Sequence, residues 1–173
     1  RADDLLAVGW GGVYRRSADG WDYEAVNGNP RLNHIWYNGS LGIAVGEEGT
    51  IATVTPTGWT VTQEGSRVRL YGVTAMPNGE IIAVGEEGAV LHNIGGFWEQ
   101  RDAGTNVSLW AVEAFDNYNV IAVGNNGVAL HYDGTEWTPL PTGVDNNLYA
   151  ISISSTAVAW AVGNRGATLG LQL

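Results

Sequence analysis

The segment Val120-Ile121-Ala122-Val123-Gly124-Asn125-Asn126-Gly127 carries the pattern Ala-Val-Gly-x-x-Gly, and this pattern decides the fold of the 173-residue chain. A second Gly follows three residues after each Ala-Val-Gly triplet, and successive triplets are 37 or 39 residues apart. Landmarks that recur with a period of about 40 residues are typical of solenoids, propellers and other repeat arrays. The triplet occurs five times along the chain, ending at Gly9, Gly46, Gly85, Gly124 and Gly163.

Short strands, rather than helices, fill each repeat. In the fourth repeat, four segments rich in Val, Ile, Trp and Tyr read as strands, at residues 109–115, 119–124, 127–132 and 135–140. Gly-x-x-Gly joins the second strand to the third, and we expect a tight hairpin there in which Gly124 adopts a positive φ. Four antiparallel strands in about 39 residues form one blade of a β-propeller.

The repeats predict an all-β chain that forms a single β-propeller domain of five blades. The second and third strands of the repeat occur five times but the first and fourth only four times, so the first and last blades are expected to have three strands each. Completion of a larger ring by further chain, or by association of subunits, is the alternative. The predicted repeats are residues 1–30, 31–67, 68–106, 107–145 and 146–173.

The composition excludes several classes of function. The chain has no Cys and no Lys, which excludes disulfides, thiolate metal sites, thiol nucleophiles and lysine Schiff bases. A net charge of −10 argues against a nucleic-acid partner, and no apolar run approaches the length of about 18 residues that suggests a membrane span. No Ser-His-Asp order, phosphate-binding loop or HExxH-type motif is present. We therefore expect no enzymatic activity, no cofactor and no metal site.

Three motifs together resemble a known family: Ala-Val-Gly-x-x-Gly, then Asp133-Gly134-Thr135-Glu136-Trp137, and the Leu-x-x-Val of Leu70-Tyr71-Gly72-Val73. They are similar to the photosystem II assembly-factor-like propeller repeats, within the broader BNR and sortilin-like repeats, over residues 5–171. The resemblance implies a propeller with a binding or assembly role. The full Asp-box, Ser-x-Asp-x-Gly-x-Thr-Trp, is only approximated here, and Gly95-Gly96-Phe97-Trp98 lacks the Asp, so a sialidase function loses support.

The resemblance also implies a periplasmic, lumenal or extracellular location, because members of the family are largely exported proteins. The first residue is Arg1 rather than Met, as it would be if a leader had been removed on export. We therefore expect an exported protein.

The segments that enter the first strand of each blade vary most in sequence, and we predict a partner-binding rim there. Arg guanidinium groups bind carboxylates bidentately, so this rim is expected to bind another protein or a membrane-protein complex. Ordinary ion pairing with Glu64 or Asp145 is the alternative. The candidate rim residues are Arg31, Arg67, Arg69, Asn106, Asn146 and Asn147.

Two sets of aromatic residues are candidates for ligand binding or for packing. The first-strand set is expected to line a central tunnel, and His34 is expected at the position that Tyr or Trp occupies in the other blades. The fourth-strand set either packs between blades or stacks on sugars, in which case the protein is a lectin. The first-strand set is His34, Tyr71, Trp110 and Tyr149, and the fourth-strand set is Trp21, Trp59, Trp98 and Trp137.

Acidic pairs at two hairpin tips, Glu47-Glu48 and Glu86-Glu87, leave open a Ca²⁺ site or the carboxylate pair of a glycosidase. Adjacent repeats replace these acids with Asn125-Asn126 and Asn164-Arg165, so solvated hairpin tips are the better explanation. His92 and His131 occupy the same place in successive repeats, where packing is favoured over metal ligation.

Overall fold

The computed structural model describes residues 5–63, 67–154 and 158–172. These residues form eighteen strands in five antiparallel sheets, of which the first and last have three strands and the other three have four. The chain folds as two compact units, Arg1–Leu70 and Tyr71–Leu173. The all-β fold and the three-stranded first and last blades are confirmed.

The first unit contains sheets 1 and 2, each ordered along the sheet as it is along the chain. Sheet 1 consists of β1 (Leu6–Val8), β2 (Gly12–Ser17) and β3 (Gly20–Ala25). Sheet 2 consists of β4 (Leu32–Tyr37), β5 (Gly42–Gly46), β6 (Thr50–Thr55) and β7 (Gly58–Gln63).

The second unit contains sheets 3, 4 and 5, with Leu70 of the first strand at its boundary. Sheet 3 consists of β8 (Leu70–Ala75), β9 (Ile81–Gly85), β10 (Val90–Ile94) and β11 (Phe97–Arg101). Sheet 4 consists of β12 (Leu109–Ala114), β13 (Val120–Gly124), β14 (Ala129–Tyr132) and β15 (Trp137–Pro139). Sheet 5 consists of β16 (Leu148–Ile153), β17 (Val158–Gly163) and β18 (Thr168–Gln172).

The hairpin between the second and third strands of a blade is a short 3₁₀ corner in sheets 2 to 5. The second residue of the corner adopts a left-handed conformation with φ of 52–56°, and the Gly that ends the corner also has a positive φ. The corner occupies the first residues expected for the third strand, so β14 begins at Ala129 rather than at Gly127. The four corners are Glu47–Gly49, Glu86–Gly88, Asn125–Gly127 and Asn164–Gly166.

The expectation of a positive φ at Gly124 is wrong, because its backbone is extended with a φ of −157°. Gly is required there for a different reason. The N–H of Asn125 donates to the carbonyl of Ser108, with N and O 2.9 Å apart, and a Cβ on Gly124 would clash with that carbonyl oxygen. The positive φ falls instead on Asn126 and Gly127.

Apolar side chains between successive sheets form the cores of the units. In the first unit, Leu6 and Val8 of sheet 1 pack with Ala44 and Ala52 of sheet 2. In the second unit, one cluster joins sheets 3 and 4 and another joins sheets 4 and 5. No helix among the described residues has the length and apolarity needed to cross a membrane.

Candidate functional site

Four segments of the first unit form one surface, which we call the corner surface: Gly9–Gly12, Asn29–Arg31, the Glu47–Gly49 corner and Arg67–Arg69. The Glu47–Gly49 corner joins the two Arg-bearing segments. The N–H of Glu47 donates to the carbonyl of Arg31 at 3.0 Å, and the N–H of Gly49 donates to that of Val68 at 2.7 Å. The segments predicted to carry Arg31, Arg67 and Arg69 therefore lie on either side of one corner.

Trp10 projects from the corner surface with 71% of its area exposed. The corner of sheet 1 is one residue shorter than the others, because Val8 pairs with Val13 whereas Val45 pairs with Ile51. Trp10 is held in place through its backbone, which forms an isolated antiparallel bridge with Arg31. Trp10 and Arg31 thereby line a cleft of about 380 Å³ with Asn29, Pro30, Glu47 and Glu48.

The three Arg residues of the corner surface differ in their availability. The Nε of Arg69 donates to a carboxylate oxygen of Glu47 at 2.5 Å, so this guanidinium is already engaged. Arg31 and Arg67 are exposed, and no acidic side chain among the described residues pairs with either. Glu64, the expected ion-pair partner, lies outside the described residues. The corner surface therefore presents two available cations and one exposed indole.

The rim Asn residues belong to the second unit, and two of them hold neighbouring segments together. The amide of Asn146 donates to the side-chain oxygen of Asn164 at 3.1 Å, and the side-chain oxygen of Asn147 accepts from the N–H of Asn126 at 3.1 Å. Asn106 is exposed. The structure thus uses Asn146 and Asn147 to join strand-entry segments to corners.

The first-strand aromatics of the second unit form a stack. Tyr71 and Trp110 stack with ring centroids 4.3 Å apart, and Trp110 meets Tyr149 edge-on at 5.8 Å. The indole Nε1 of Trp110 donates to the side-chain oxygen of Asn125 at 2.7 Å, which fixes the ring. Tyr149 is 47% exposed, so the stack is packed internally and open at Tyr149.

His34 does not occupy the position of these aromatics. The first strands of sheets 2 and 4 each contain a register shift, between Leu32 and His34 in sheet 2 and between Leu109 and Ala111 in sheet 4. The residue within the shift is Asn33 in sheet 2 and Trp110 in sheet 4, so the structure aligns Asn33, rather than His34, with Trp110. Asn33 donates through Nδ2 to the carbonyl of Leu70 at 2.9 Å.

The fourth-strand Trp residues vary in burial, and two of them pack against other side chains. Trp59 is 6% exposed and donates through Nε1 to Glu24 at 2.8 Å, while Trp137 lies 5.2 Å from the ring of Tyr132. Partial burial acts to raise the pKa of Glu24, but hydrogen bonds from Arg15 and Trp59 outweigh it and lower that pKa below its ordinary value. Glu24 thus links sheets 1 and 2.

The imidazoles of His92 and His131 are engaged with neighbouring side chains. His92 is buried, and its Nε2 lies 2.8 Å from a carboxylate oxygen of Glu80, whereas His131 meets Asn119 at 3.1 Å. Within residues 5–63, 67–154 and 158–172, no three His, Cys, Asp or Glu side chains are grouped as a metal site would need. These contacts are those of packing.

Trp10 was not predicted from the sequence, and neither were two hydrogen bonds that join successive first strands in the second unit. The Oγ1 of Thr74 accepts from the N–H of Ala114 at 3.3 Å, and a carboxylate oxygen of Glu113 accepts from the N–H of Ile153 at 3.1 Å. Burial raises the pKa of Glu113. The signal for Trp10 was available, because an aromatic residue stands where other repeats have Glu or Asn.

No protein-family model matches this sequence, and no curated protein sequence matches it. Solved structures do match. The structure described as YCF48 bound to D1 peptide superposes with a TM-score of 0.72 at 19% identity, covering 94% of this chain and 57% of that chain. This chain therefore spans less than two thirds of that YCF48 chain.

Two other propellers are similar at lower sequence identity. Virginiamycin B lyase from Staphylococcus aureus has a TM-score of 0.77 at 11% identity, over 97% of this chain and 69% of that one. The WD40 β-propeller domain of Doa1 has a TM-score of 0.77 at 14% identity, over 97% and 61%. At these identities the likeness concerns the fold, which is that of a β-propeller.

Proposed function

We propose that this chain is a non-enzymatic propeller that docks on another protein, as an accessory, assembly or stability subunit of a larger complex outside the cytoplasm. One observation carries the proposal: Trp10 is 71% exposed on the same surface as the guanidinium groups of Arg31 and Arg67, which form no ion pair with any acidic side chain that the structure describes. Trp and Arg are the residue types most enriched among the side chains that dominate the energy of protein interfaces.

The chemistry of the corner surface specifies the kind of partner. An apolar side chain would contact the exposed indole of Trp10, while carboxylates nearby would bind the guanidinium groups of Arg31 and Arg67 bidentately. The partner segment is therefore acidic with at least one apolar anchor. A protein of similar fold, YCF48, has been solved with a D1 peptide bound, which supports peptide binding by this type of scaffold.

Carbohydrate binding is the second candidate, and the exposed ring of Tyr149 favours it. Tyr149 lies at the open end of the stack with Trp110 and Tyr71, and aromatic faces are common platforms for the apolar faces of sugars. A glycan array that gives signals with the wild-type chain, and loses them in Tyr149→Ala but not in Phe97→Ala, would support a lectin. An array without signals would exclude it.

A glycosidase is the third candidate, and it has the least support. Such an enzyme needs two carboxyl groups facing one another across the scissile bond, about 5–10 Å apart. Among the hairpin acids, Glu47 is engaged with Arg69. Hydrolysis of a fluorogenic glycoside panel by the purified chain, abolished by Glu48→Gln, would replace the docking proposal.

The docking proposal is tested with a library of fluorescein-labelled peptides of about 12 residues that vary in acidity and apolar content. We expect acidic peptides with an aromatic or aliphatic residue to bind, and Trp10→Ala to weaken binding about tenfold or more, because exposed Trp anchors commonly contribute at least 2 kcal/mol. Arg31→Glu together with Arg67→Glu should remove binding and its dependence on salt.

Arg165→Glu is the matched control, since Arg165 is an exposed corner Arg in the second unit, and it should bind acidic peptides as the wild type does. Binding that is equally weakened by Arg165→Glu would show a general charge effect and contradict the corner surface as the site. Absence of binding across the library would contradict protein docking. Fractionation of cells that express the full-length protein tests the extracytoplasmic location, which a cytoplasmic pool alone would contradict.

A further inference from the structure

Sheet 5 exposes a face whose counterpart in sheet 4 is buried. The face of a sheet that packs on the next sheet along the chain is here called its forward face. In sheet 4 this face carries Ile121 and Val123, which are fully buried in a cluster with sheet 5. Thirty-nine residues later, the same positions of sheet 5 hold Trp160 and Val162, which are 53% and 45% exposed.

The face of a sheet that packs on the preceding sheet along the chain is here called its backward face. Sheet 1 exposes its backward face. Within sheet 1, Ala7 pairs with Tyr14, and the equivalent pair within sheet 2 is Ala44 with Ala52. Both Ala residues of sheet 2 are fully buried against sheet 1, but Tyr14 is 37% exposed. The same face of sheet 1 is extended by Leu5, Trp21 and Tyr23, which are 59%, 51% and 51% exposed.

The two exposed faces are the two sides of one repeated interface. Forward faces pack on backward faces between sheets 1 and 2, sheets 3 and 4, and sheets 4 and 5. Exposed apolar surface of this extent is a mark of an interaction site, and continuity with an interface formed three times within the units specifies its occupant. A sheet with the same repeat would fit such a face.

The side chains of the two faces are complementary in size, and the backward face of sheet 1 also carries the exposed Arg16, whose guanidinium lies over the ring of Trp21. The described forward-face positions of sheet 5 carry no charged residue, and small residues surround Trp160, whose ring lies over Gly170. The backward face of sheet 1 carries large aromatic rings, including Tyr14 and Tyr23, which contact each other at 5.3 Å. The forward-face positions of sheet 5 are Ala150, Ser152, Trp160, Val162, Thr168 and Gly170.

We infer that the forward face of sheet 5 packs on the backward face of sheet 1 of a second copy of this chain, so that molecules associate head to tail. Each molecule contributes a different surface to such an interface, which makes the interface heterologous. Both faces then become buried, as they are between neighbouring sheets within the units. A heterologous interface also predicts oligomers larger than a dimer, because each added copy leaves one free face at either end.

Sedimentation velocity over about 1–200 µM protein tests this inference with variants that disable one face each. Trp160→Asp places a charge on the forward face, and Tyr14→Asp places one on the backward face. We expect the wild type to form dimers and larger species with rising concentration. Each variant alone should require at least tenfold higher concentration to associate, because every head-to-tail contact needs both faces.

The decisive measurement is an equimolar mixture of the two variants. Each variant retains the face that the other lacks, so the mixture should form dimers and nothing larger. Phe97→Asp, at a side chain of sheet 3 that is 77% exposed, is the control and should associate like the wild type. Far-UV circular dichroism identifies any variant that fails to fold, and Trp21→Asp then replaces Tyr14→Asp.

A wild type that remains monomeric across the concentration range would overturn the inference. So would association that persists in both single variants, or folded variants whose mixture stays monomeric. None of these results bears on peptide binding by the corner surface, which is measured with Trp10 and Arg31 variants. Failure of the self-association and failure of the proposed docking function are therefore distinguishable.

Discussion

Gly124 is constrained by the backbone of a neighbouring segment rather than by its own φ. Its missing side chain leaves room for the carbonyl of Ser108, which accepts the hydrogen bond from Asn125. We expect Gly124→Val to lower the free energy of unfolding by about 2–4 kcal/mol, because the added atoms force the corner away from the strand-entry segment. Urea denaturation measures the loss. Gly170→Ala, where a Cβ meets only ordinary contacts, should stay within about 0.5 kcal/mol of the wild type, and an equal loss in both variants would contradict this account.

Glu24 is the residue through which pH should act on the first unit. Its pKa is lowered from the ordinary value of 4.5 by hydrogen bonds from Arg15 and Trp59, which exceed the opposing effect of burial. Stabilisation by the ionised carboxylate is therefore present above pH 4.5 and is lost as pH falls through the lowered pKa.

Glu24→Gln removes that charge while keeping an acceptor for Trp59, and we expect it to cost about 1–2 kcal/mol at pH 7 and less at pH 3. Urea denaturation at the two pH values measures the difference. Glu136→Gln, at an exposed side chain, should change stability by about 0.5 kcal/mol or less. A constant cost of Glu24→Gln at both pH values would show that the carboxylate charge plays no part.

At the scale of elements, the sequence predicts strands well and corner conformations poorly. Strands β12 and β13 follow from their Val and Ile content and from the repeat, and their observed bounds differ from the predicted ones by a single residue. A Gly in a hairpin, by contrast, can be required for either of two reasons, a positive φ or a close approach of another backbone segment. At Gly124 the nearby carbonyl of Ser108 shows that the second reason applies. Ser108 lies beside Gly124 because the next residue, Leu109, pairs with Gly124 across the sheet, and this contact is not evident from the local sequence.

The turn between β14 and β15 contains the approximate Asp-box, and its Asp accepts three hydrogen bonds. One carboxylate oxygen of Asp133 accepts from the hydroxyl of Thr135 at 2.6 Å and from the N–H groups of Thr135 and Glu136 at 2.8 and 2.9 Å. These bonds favour the ionised form, the hydroxyl of Thr135 most, and lower the pKa of Asp133 from 3.8 to about 2.

We expect the carboxyl carbon of Asp133 to titrate by NMR with a midpoint of about 2. Thr135→Val, which removes the hydroxyl donor and keeps both N–H donors, should move that midpoint upward towards 3.8. Thr138→Val is the control, because the hydroxyl of Thr138 bonds to the carbonyl of His131 rather than to Asp133. A wild-type midpoint near 3.8 would mean that the turn is open in solution.

At the scale of the whole molecule, the number and pattern of sheets follow from the repeat. Whether each candidate side chain is engaged in an ion pair does not follow from it. Arg69 is paired with Glu47, which is 22 residues earlier in the sequence, and nothing in the local sequence of either residue indicates that contact. Arg31 directly precedes Leu32 just as Arg69 directly precedes Leu70, yet no acidic side chain in the described part of the chain pairs with Arg31. A rim of variable segments can therefore be predicted from sequence, whereas the available cations within it depend on which corner each segment meets.

Equivalent repeat positions should also differ in their contribution to stability, according to the sheet that follows them. Ile121 is fully buried against sheet 5, so Ile121→Ala should cost about 2–5 kcal/mol. Trp160 occupies the same position in sheet 5 but is 53% exposed, so Trp160→Ala should cost about 1 kcal/mol or less in dilute solution. If head-to-tail association buries Trp160, the loss of stability caused by Trp160→Ala should grow with protein concentration, since binding to the folded state adds to apparent stability. Thermal unfolding at about 1 µM and 200 µM measures both costs, and equal costs at the two positions in dilute solution would contradict the exposed forward face of sheet 5.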